Sequence, residues 1–335
     1  MKAPFVWFGG KRRVAPEVWA ALGDVPNYIE PFAGSLAVLL GRPHDMSNGT
    51  RRAETVNDAD GFLANFWRAL AHDPEAVAHW CDWPVNEVDL FARHLWLVNT
   101  GRSRLLEGME ADPDFYDAQV AGWWVWGVNA WIGSGWCSGD GPWVDTGDGI
   151  GKLPHLGDAG RGVKRKLPHL GNAGRAGYNN MEYRPNVLGY FEELAGRLRD
   201  VRVCCGDWSR VCTSGAMSYG SKVGVFLDPP YLGDVRTADL YAVDDHTIAH
   251  AVRDWCLEHG DDPRLRIVLA GYRAEHDDLM PDTWRRHYYS ASAAYSTTES
   301  AARQDGNHAN RANEVLWFSP HCVTPDRQGE LWEAL

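Results

Sequence analysis

The chain has 335 residues, 44% of them hydrophobic, enough for one large domain or two modest ones with a sizeable core. A formal net charge of −12 excludes a bulk cationic field, so any nucleic-acid contact must come from local basic patches. Seven cysteines, an odd count with no Cys-x-x-Cys pair, speak against a zinc site or a disulfide framework and for a reducing cytoplasm.

The opening MKAPFVWFGGKRR lacks the apolar stretch of a signal peptide, and no apolar run suggests a membrane span. Tyr28–Leu40, YIEPFAGSLAVLL, reads as a strand, a glycine-containing turn and a helix start. Glu54–Asp58 reads as a second short strand ending in an acid. Phe62, Phe66 and Leu70 recur at four-residue spacing, which predicts a helix. Asp73 and Pro74 open another as N-cap and first helical residue, and Asn86 caps a third over NEVDLFARHLWLV. The many tryptophans, including those of GWWVWGVNAWIGSGW, read mainly as core.

From Gly133 to Gly177 the composition shifts to Gly, Pro and basic residues. This stretch repeats itself: KLPHLGDAGR at Lys152–Arg161 and KLPHLGNAGR at Lys166–Arg175. Two copies are too few for a solenoid. They read as a duplicated loop whose Lys164, Arg165 and Lys166 suit phosphate contact and a plain solvated surface equally. Beyond it VLGYFEELAGRL is an amphipathic helix, VRVCCGD a strand ending at Asp207, and KVGVFLDPPY a strand. HTIAHAVRDWCLEHG is a helix with a glycine stop, and LRIVLAGY, WRRHYYSAS and NEVLWFS are three late strands. Strands alternating with helices predict a mainly parallel α/β sheet. Residues 65–184 read as a helical and loop-rich insertion into a sheet domain formed by residues 1–64 and 185–335.

Open α/β sheets bind ligands beyond the carboxyl ends of their strands. Three predicted strands end there in acids: Glu30 before Pro31-Phe32-Ala33-Gly34, then Asp58, then Asp228. Gly34 lets backbone approach a ligand, and Asp58 is placed to accept hydrogen bonds from ribose hydroxyls. No G-x-G-x-x-G and no phosphate-binding loop occurs, so a nucleoside without phosphates fits better than a dinucleotide. His246 and His250 lie four apart on a helix with no third ligand in view, and no metal site is expected.

Four blocks, in order, carry a resemblance to the DNA adenine methylase (Dam-like) family: PFVWFGGK, YIEPFAGSLAVLL with VND, DPPY, and NRANEVLWFS. Leu36 stands where that family often has a second glycine. The resemblance implies a seven-stranded Rossmann-like methyltransferase sheet with an inserted target-recognition domain. It implies S-adenosyl-L-methionine as cofactor and double-stranded DNA as partner, with any partner nuclease left open. Trp7, Phe8, Gly10, Lys11, Glu30–Gly34, Asp58, Asp207 and Asp228 fall at its cofactor positions, although Trp7 and Phe8 suit core packing as well and Asp207 suits a helix cap. Asn129 lies in the weakly similar middle, and Arg303 and Arg311 bracket a polar loop suited to DNA backbone.

The chemistry of Asp228-Pro229-Pro230-Tyr231 agrees with that resemblance. The lone pair of an exocyclic base amine is delocalised into its ring. The Asp228 carboxylate and Pro229 carbonyl can accept its two protons and localise the lone pair, and prolines fix both acceptors in advance. Tyr231 offers a face to an extruded base. Cytosine N4 poses the same problem as adenine N6, so both remain open from these residues alone. A catalytically silent DNA-binding protein that keeps the fold is the reading of another class, and the intact tetrapeptide argues against it.

Overall fold

The computed structural model describes residues 1–5, 7, 10–43, 52–112, 114–131, 136–137, 143–145, 150–152, 187–230, 245–289 and 314–324. The strands are β1 (Asn27–Glu30), β2 (Ala53–Asp58), β3 (Trp143–Asp145), β4 (Ile150–Lys152), β5 (Val201–Cys205), β6 (Val223–Leu227), β7 (Leu265–Tyr272), β8 (Arg285–Tyr289) and β9 (Glu314–Phe318). Seven of them form one mixed sheet in the order β5-β2-β1-β6-β7-β9-β8, while β3 and β4 make an antiparallel hairpin. The fold is α/β, as the alternation of strands and helices predicts. Contacts group the chain into two compact units, residues 1–7 with 60–205 and residues 8–59 with 206–335.

In the second unit β2, β1, β6 and β7 are parallel neighbours, and β9 runs antiparallel to both β7 and β8. β1, β2, β6 and β9 are buried along their whole lengths. β6 and β9 accordingly read as near-continuous apolar runs rather than alternating ones. Two of the polar groups buried in β1 are partnered. Asn27 donates to the Ala216 carbonyl at 2.9 Å, and the Tyr28 hydroxyl donates to Glu30 Oε2 at 2.9 Å. α1 (Ala15–Leu22) starts with a proline in its first turn and stops at Gly23, whose φ of 63° only glycine adopts cheaply. From β1 the order runs to β2 on one side and to β6 on the other, so the crevice beyond Glu30 and Leu227 is the switch point of the sheet.

The first unit is helical: α3 (Gly61–His72), α4 (Pro74–Cys81), α5 (Glu87–Trp96), α6 (Arg102–Ala111), α7 (Ala118–Ala130) and α8 (Val187–Leu198); α2 (Ala37–Leu40) belongs to the other unit. The caps follow the sequence: Asp73 accepts from Ala76 N, and Asn86 from Asp89 N. Phe5, Phe66, Trp67, Trp124 and Trp126 fill its core. One feature departs from expectation: a π-helical turn, Leu97–Gly101, carries α5 on into α6. Among the described residues no helix is long and apolar enough to cross a membrane.

Candidate active site

The site forms at the carboxyl edge of the sheet within the second unit. Gly10 leads into a single 3₁₀ turn, Lys11–Arg13, and within it Lys11 is only 5% exposed. Its Nζ lies 3.0 Å from Asp228 Oδ1. Asp228 is the first residue past β6, where Pro229 and Pro230 end the ladder because neither has a backbone N–H. Pro229 is buried and Asp228 half-buried. The fold therefore brings together two groups that lie more than two hundred residues apart in the sequence.

The turn after β1 is tied to the tip of β2. Gly34 N donates to Asp58 Oδ2 at 2.9 Å, and Ala33 N donates to the Asn57 carbonyl at 2.9 Å. The Asn57 side chain donates in turn to the carbonyls of Pro31, at 3.0 Å, and Gly206, at 2.9 Å. Gly34, with φ 47°, is left-handed, and so is Leu36, with φ 56°. A non-glycine residue there costs about 1–2 kcal/mol. The Leu36 side chain is fully buried, which contributes about 1.5–3 kcal/mol and offsets that cost. This is how leucine stands where a glycine was expected.

Glu30 is buried at the end of β1 and accepts from Tyr28 Oη and from Leu39 N. Burial pushes its carboxyl up to about 8, and the charge of Asp228 adds to the rise, so at neutral pH it carries its proton. Phe32 is half-buried and stacks on Trp208 at 6.1 Å. Asp207 lies two residues past β5 and caps the 3₁₀ turn Trp208–Val211, accepting from Ser209 N at 2.9 Å.

The remaining candidates lie elsewhere or outside the described residues. Trp7 packs on Phe5 and Trp124 in the helical unit, each at 5.9 Å. Asn129 spends its amide on the carbonyls of Val125, at 2.8 Å, and Pro4, at 3.3 Å. Phe8, Tyr231, Lys164, Arg165, Lys166, Arg303 and Arg311 lie outside the described residues, as does most of the KLPHLG repeat.

One residue at the site was missed by sequence reasoning. Glu314 opens β9 and is 5% exposed. Burial raises its carboxyl, Lys11 and a hydrogen bond from Tyr289 pull it back, and Asp228 pushes it further up. Its signal was present: an acid opening the apolar run VLWF.

A parallel-dominated sheet with acids at its switch point, and a carboxylate fixed at a Pro-Pro corner, is consistent with a Rossmann-like methyltransferase. Residues 7–86, which include Lys11, Glu30, Gly34 and Asp58, match the family model described as D12 class N6 adenine-specific DNA methyltransferase. That match supports a Dam-like adenine methyltransferase over the first two of the four blocks, and DPPY and NRANEVLWFS lie outside it. No curated protein matches the chain.

Proposed function

We propose that the chain methylates the N6 amine of adenine in double-stranded DNA, with S-adenosyl-L-methionine as donor and the target base extruded from the helix. The observation that carries this reading is the Lys11–Asp228 pair at the rigid corner after β6, beside the turn that links Gly34 to Asp58. Asp228 and the Pro229 carbonyl accept the two amine protons, and their fixed positions mean that little reorganisation is needed in the transition state. Tyr231 stacks on the base.

The cofactor fits the residues at hand. The half-buried Asp228 carboxylate suits a cationic sulfonium, which when bound supplies an electrophilic methyl group, and the protonated Glu30 adds no charge of its own. Asp58 holds the ribose, the Gly34 turn admits the methionine part, and the Phe32–Trp208 pair offers ring faces for adenine. Phe8, Gly10 and Lys11 complete the cofactor side, with Asp207 near its edge, whereas Trp7 belongs to the aromatic core of the helical unit. Residues 65–184 serve target recognition through the basic run Lys164–Lys166, with the Asn129 amide spent inside the unit, while Arg303 and Arg311 follow the DNA backbone. The enzyme works in the cytoplasm and needs no metal.

Nucleoside mass spectrometry of DNA incubated with the protein and the cofactor tests this. N6-methyldeoxyadenosine is the expected product. N4-methyldeoxycytidine as the only product would overturn the adenine assignment while leaving the roles of Asp228 and Asp58 intact.

A further inference from the structure

Arg273 is the first residue past β7, and Asp277 lies one helical turn beyond it. The half-buried Asp277 carboxylate accepts from Arg273 Nε and Arg286 Nε, both at 2.9 Å, from the Tyr288 hydroxyl at 3.3 Å and from Trp317 Nε1 at 3.4 Å. Arg286 is tied down further by the carbonyls of Asp277, at 3.2 Å, and Met280, at 2.9 Å. Arg273 is held differently. Asp277 takes its Nε, the Tyr288 ring lies 5.6 Å from its guanidinium carbon, and its side chain is 61% exposed. Its two Nη nitrogens have no hydrogen-bond partner among the described residues. The exposed Asp282 reaches Arg286, at 3.9 Å, rather than Arg273.

This guanidinium stands on the reactive edge of the sheet. β7 lies beside β6, with Leu227 opposite Leu269. Asp228 leaves β6 directly after Leu227, while β7 runs on for three more residues, roughly 10 Å, before Arg273. A duplex that delivers a base to Asp228 must lay its backbone over that edge. An arginine aimed in advance through Nε loses little freedom on binding, and its Nη pair matches two phosphate oxygens. We infer that Arg273 grips a DNA phosphate beside the base that enters the Asp228 corner, and that Asp277 and Tyr288 aim it. The inference rests on the DNA-methylation reading and adds to it a backbone contact from the catalytic sheet. The opposite end of β8 supplies the control. Arg285 is exposed, pairs in register with Phe318, stacks on its ring at 4.2 Å and donates to the Val323 carbonyl at 3.2 Å.

Fluorescence anisotropy of a labelled DNA duplex, titrated with the full chain at several salt concentrations, tests this. Arg273→Gln should weaken binding about five- to tenfold at low salt, and alike on duplexes of unrelated sequence. It should also flatten the log–log salt slope by about 0.9, the share of one phosphate contact. Arg285→Gln, which removes the same charge from the far edge, should leave the slope as it is. Arg273→Lys, which keeps the charge and loses the fork, should keep the slope and bind within about threefold of the parent chain. An unchanged slope in Arg273→Gln, an equal flattening in Arg285→Gln, or a loss that Arg273→Lys shares in full would overturn the inference and leave the DNA reading standing. A parent chain that binds no duplex would overturn both.

Discussion

In the helical unit the Arg93 guanidinium lies 4.4 Å from the ring of Trp126, 5.2 Å from Trp123 and 5.3 Å from Trp83. In the sheet unit the Lys11 ammonium lies 3.0 Å from a carboxylate. Both cations are at least nine-tenths buried. Indole faces attract a cation through their quadrupoles, and the acid that acts on Arg93, Asp89, is held by Trp83 and Asn86 instead. A carboxylate partner also neutralises charge, but it remains an acceptor that a substrate can compete for. One arrangement stabilises a core, and the other keeps chemistry available at a strand tip. Four experiments can break or sharpen that contrast.

The largest effect is expected at the strand tip. Asp228→Ala removes a preorganised acceptor and should lower methyl transfer by at least ~10²–10³, while cofactor affinity changes little. A single-turnover assay with calorimetry on the same preparation reads both. Near-normal turnover would mean that the carboxylate is as structural as the Arg93 cage. Next, Asp58→Ala should weaken S-adenosylmethionine binding by about 1.5–3 kcal/mol, the worth of hydrogen bonds to a charged group. Unchanged affinity by calorimetry would move the ribose contact away from β2.

Among the described residues, each unit also holds one buried histidine that stays neutral. His94 stacks on Trp131 at 4.8 Å and accepts from Cys137 N. His276 sits on α10 (Arg273–His276) against Trp317, with Glu275 at 3.8 Å and with Arg253 and His250 acting on it. Burial lowers both to about 4. Their folded values lie below the unfolded value of about 6.5, so the stability they confer is present above about 6.5 and is lost as pH falls towards 4. At pH 5 each should cost about 2 kcal/mol. Urea midpoints at pH 7 and pH 5 check this: His94→Gln and His276→Gln should each flatten the difference by that amount. A flattened slope from only one of them would show that the two units shield histidine unequally.

The smallest effect belongs to the cage. Arg93→Met keeps most of the apolar stem and removes a charge that three indoles attract. It should cost about 1 kcal/mol in urea unfolding and leave cofactor affinity within twofold. A large loss of cofactor binding would show that the cage supports the site after all.

How much of this was legible depends on range along the chain. The caps at Asp73 and Asn86, the apolar strands and the acids at the ends of β1 and β2 follow from neighbours in sequence, and they read correctly. The Asp-Pro-Pro corner was visible because proline leaves a local mark. Lys11 could be placed near a cofactor by resemblance, but its pairing with Asp228 is a contact across more than two hundred residues and has no local trace. Leu36 looked like a departure from a glycine turn, and only the backbone reveals that leucine adopts the glycine conformation. The π-helical turn at Leu97–Gly101 hides inside an apolar period that suits an ordinary α-helix. Glu314 escaped because strand direction cannot be read from periodicity. An acid at the start of a parallel strand would lie at the far edge of the sheet.

The reversed direction of β9 also matters during synthesis. Parallel strands deliver their last residues to the carboxyl edge, whereas β9 delivers its first. Glu314 follows Lys11 by roughly 300 residues, which at about 5–20 residues per second is about 15–60 s of translation. Through that interval a growing chain holds Lys11, and for its final part Asp228 as well, but no β9 to fill the space between β7 and β8. β7 pairs with β6 on one side, so it is the edge it turns towards β9, together with β8, that stays unpaired over the last few tens of residues of that interval, open to other nascent chains. The strand that completes the sheet therefore arrives late, and the sheet closes between β7 and β8 only once β9 has emerged.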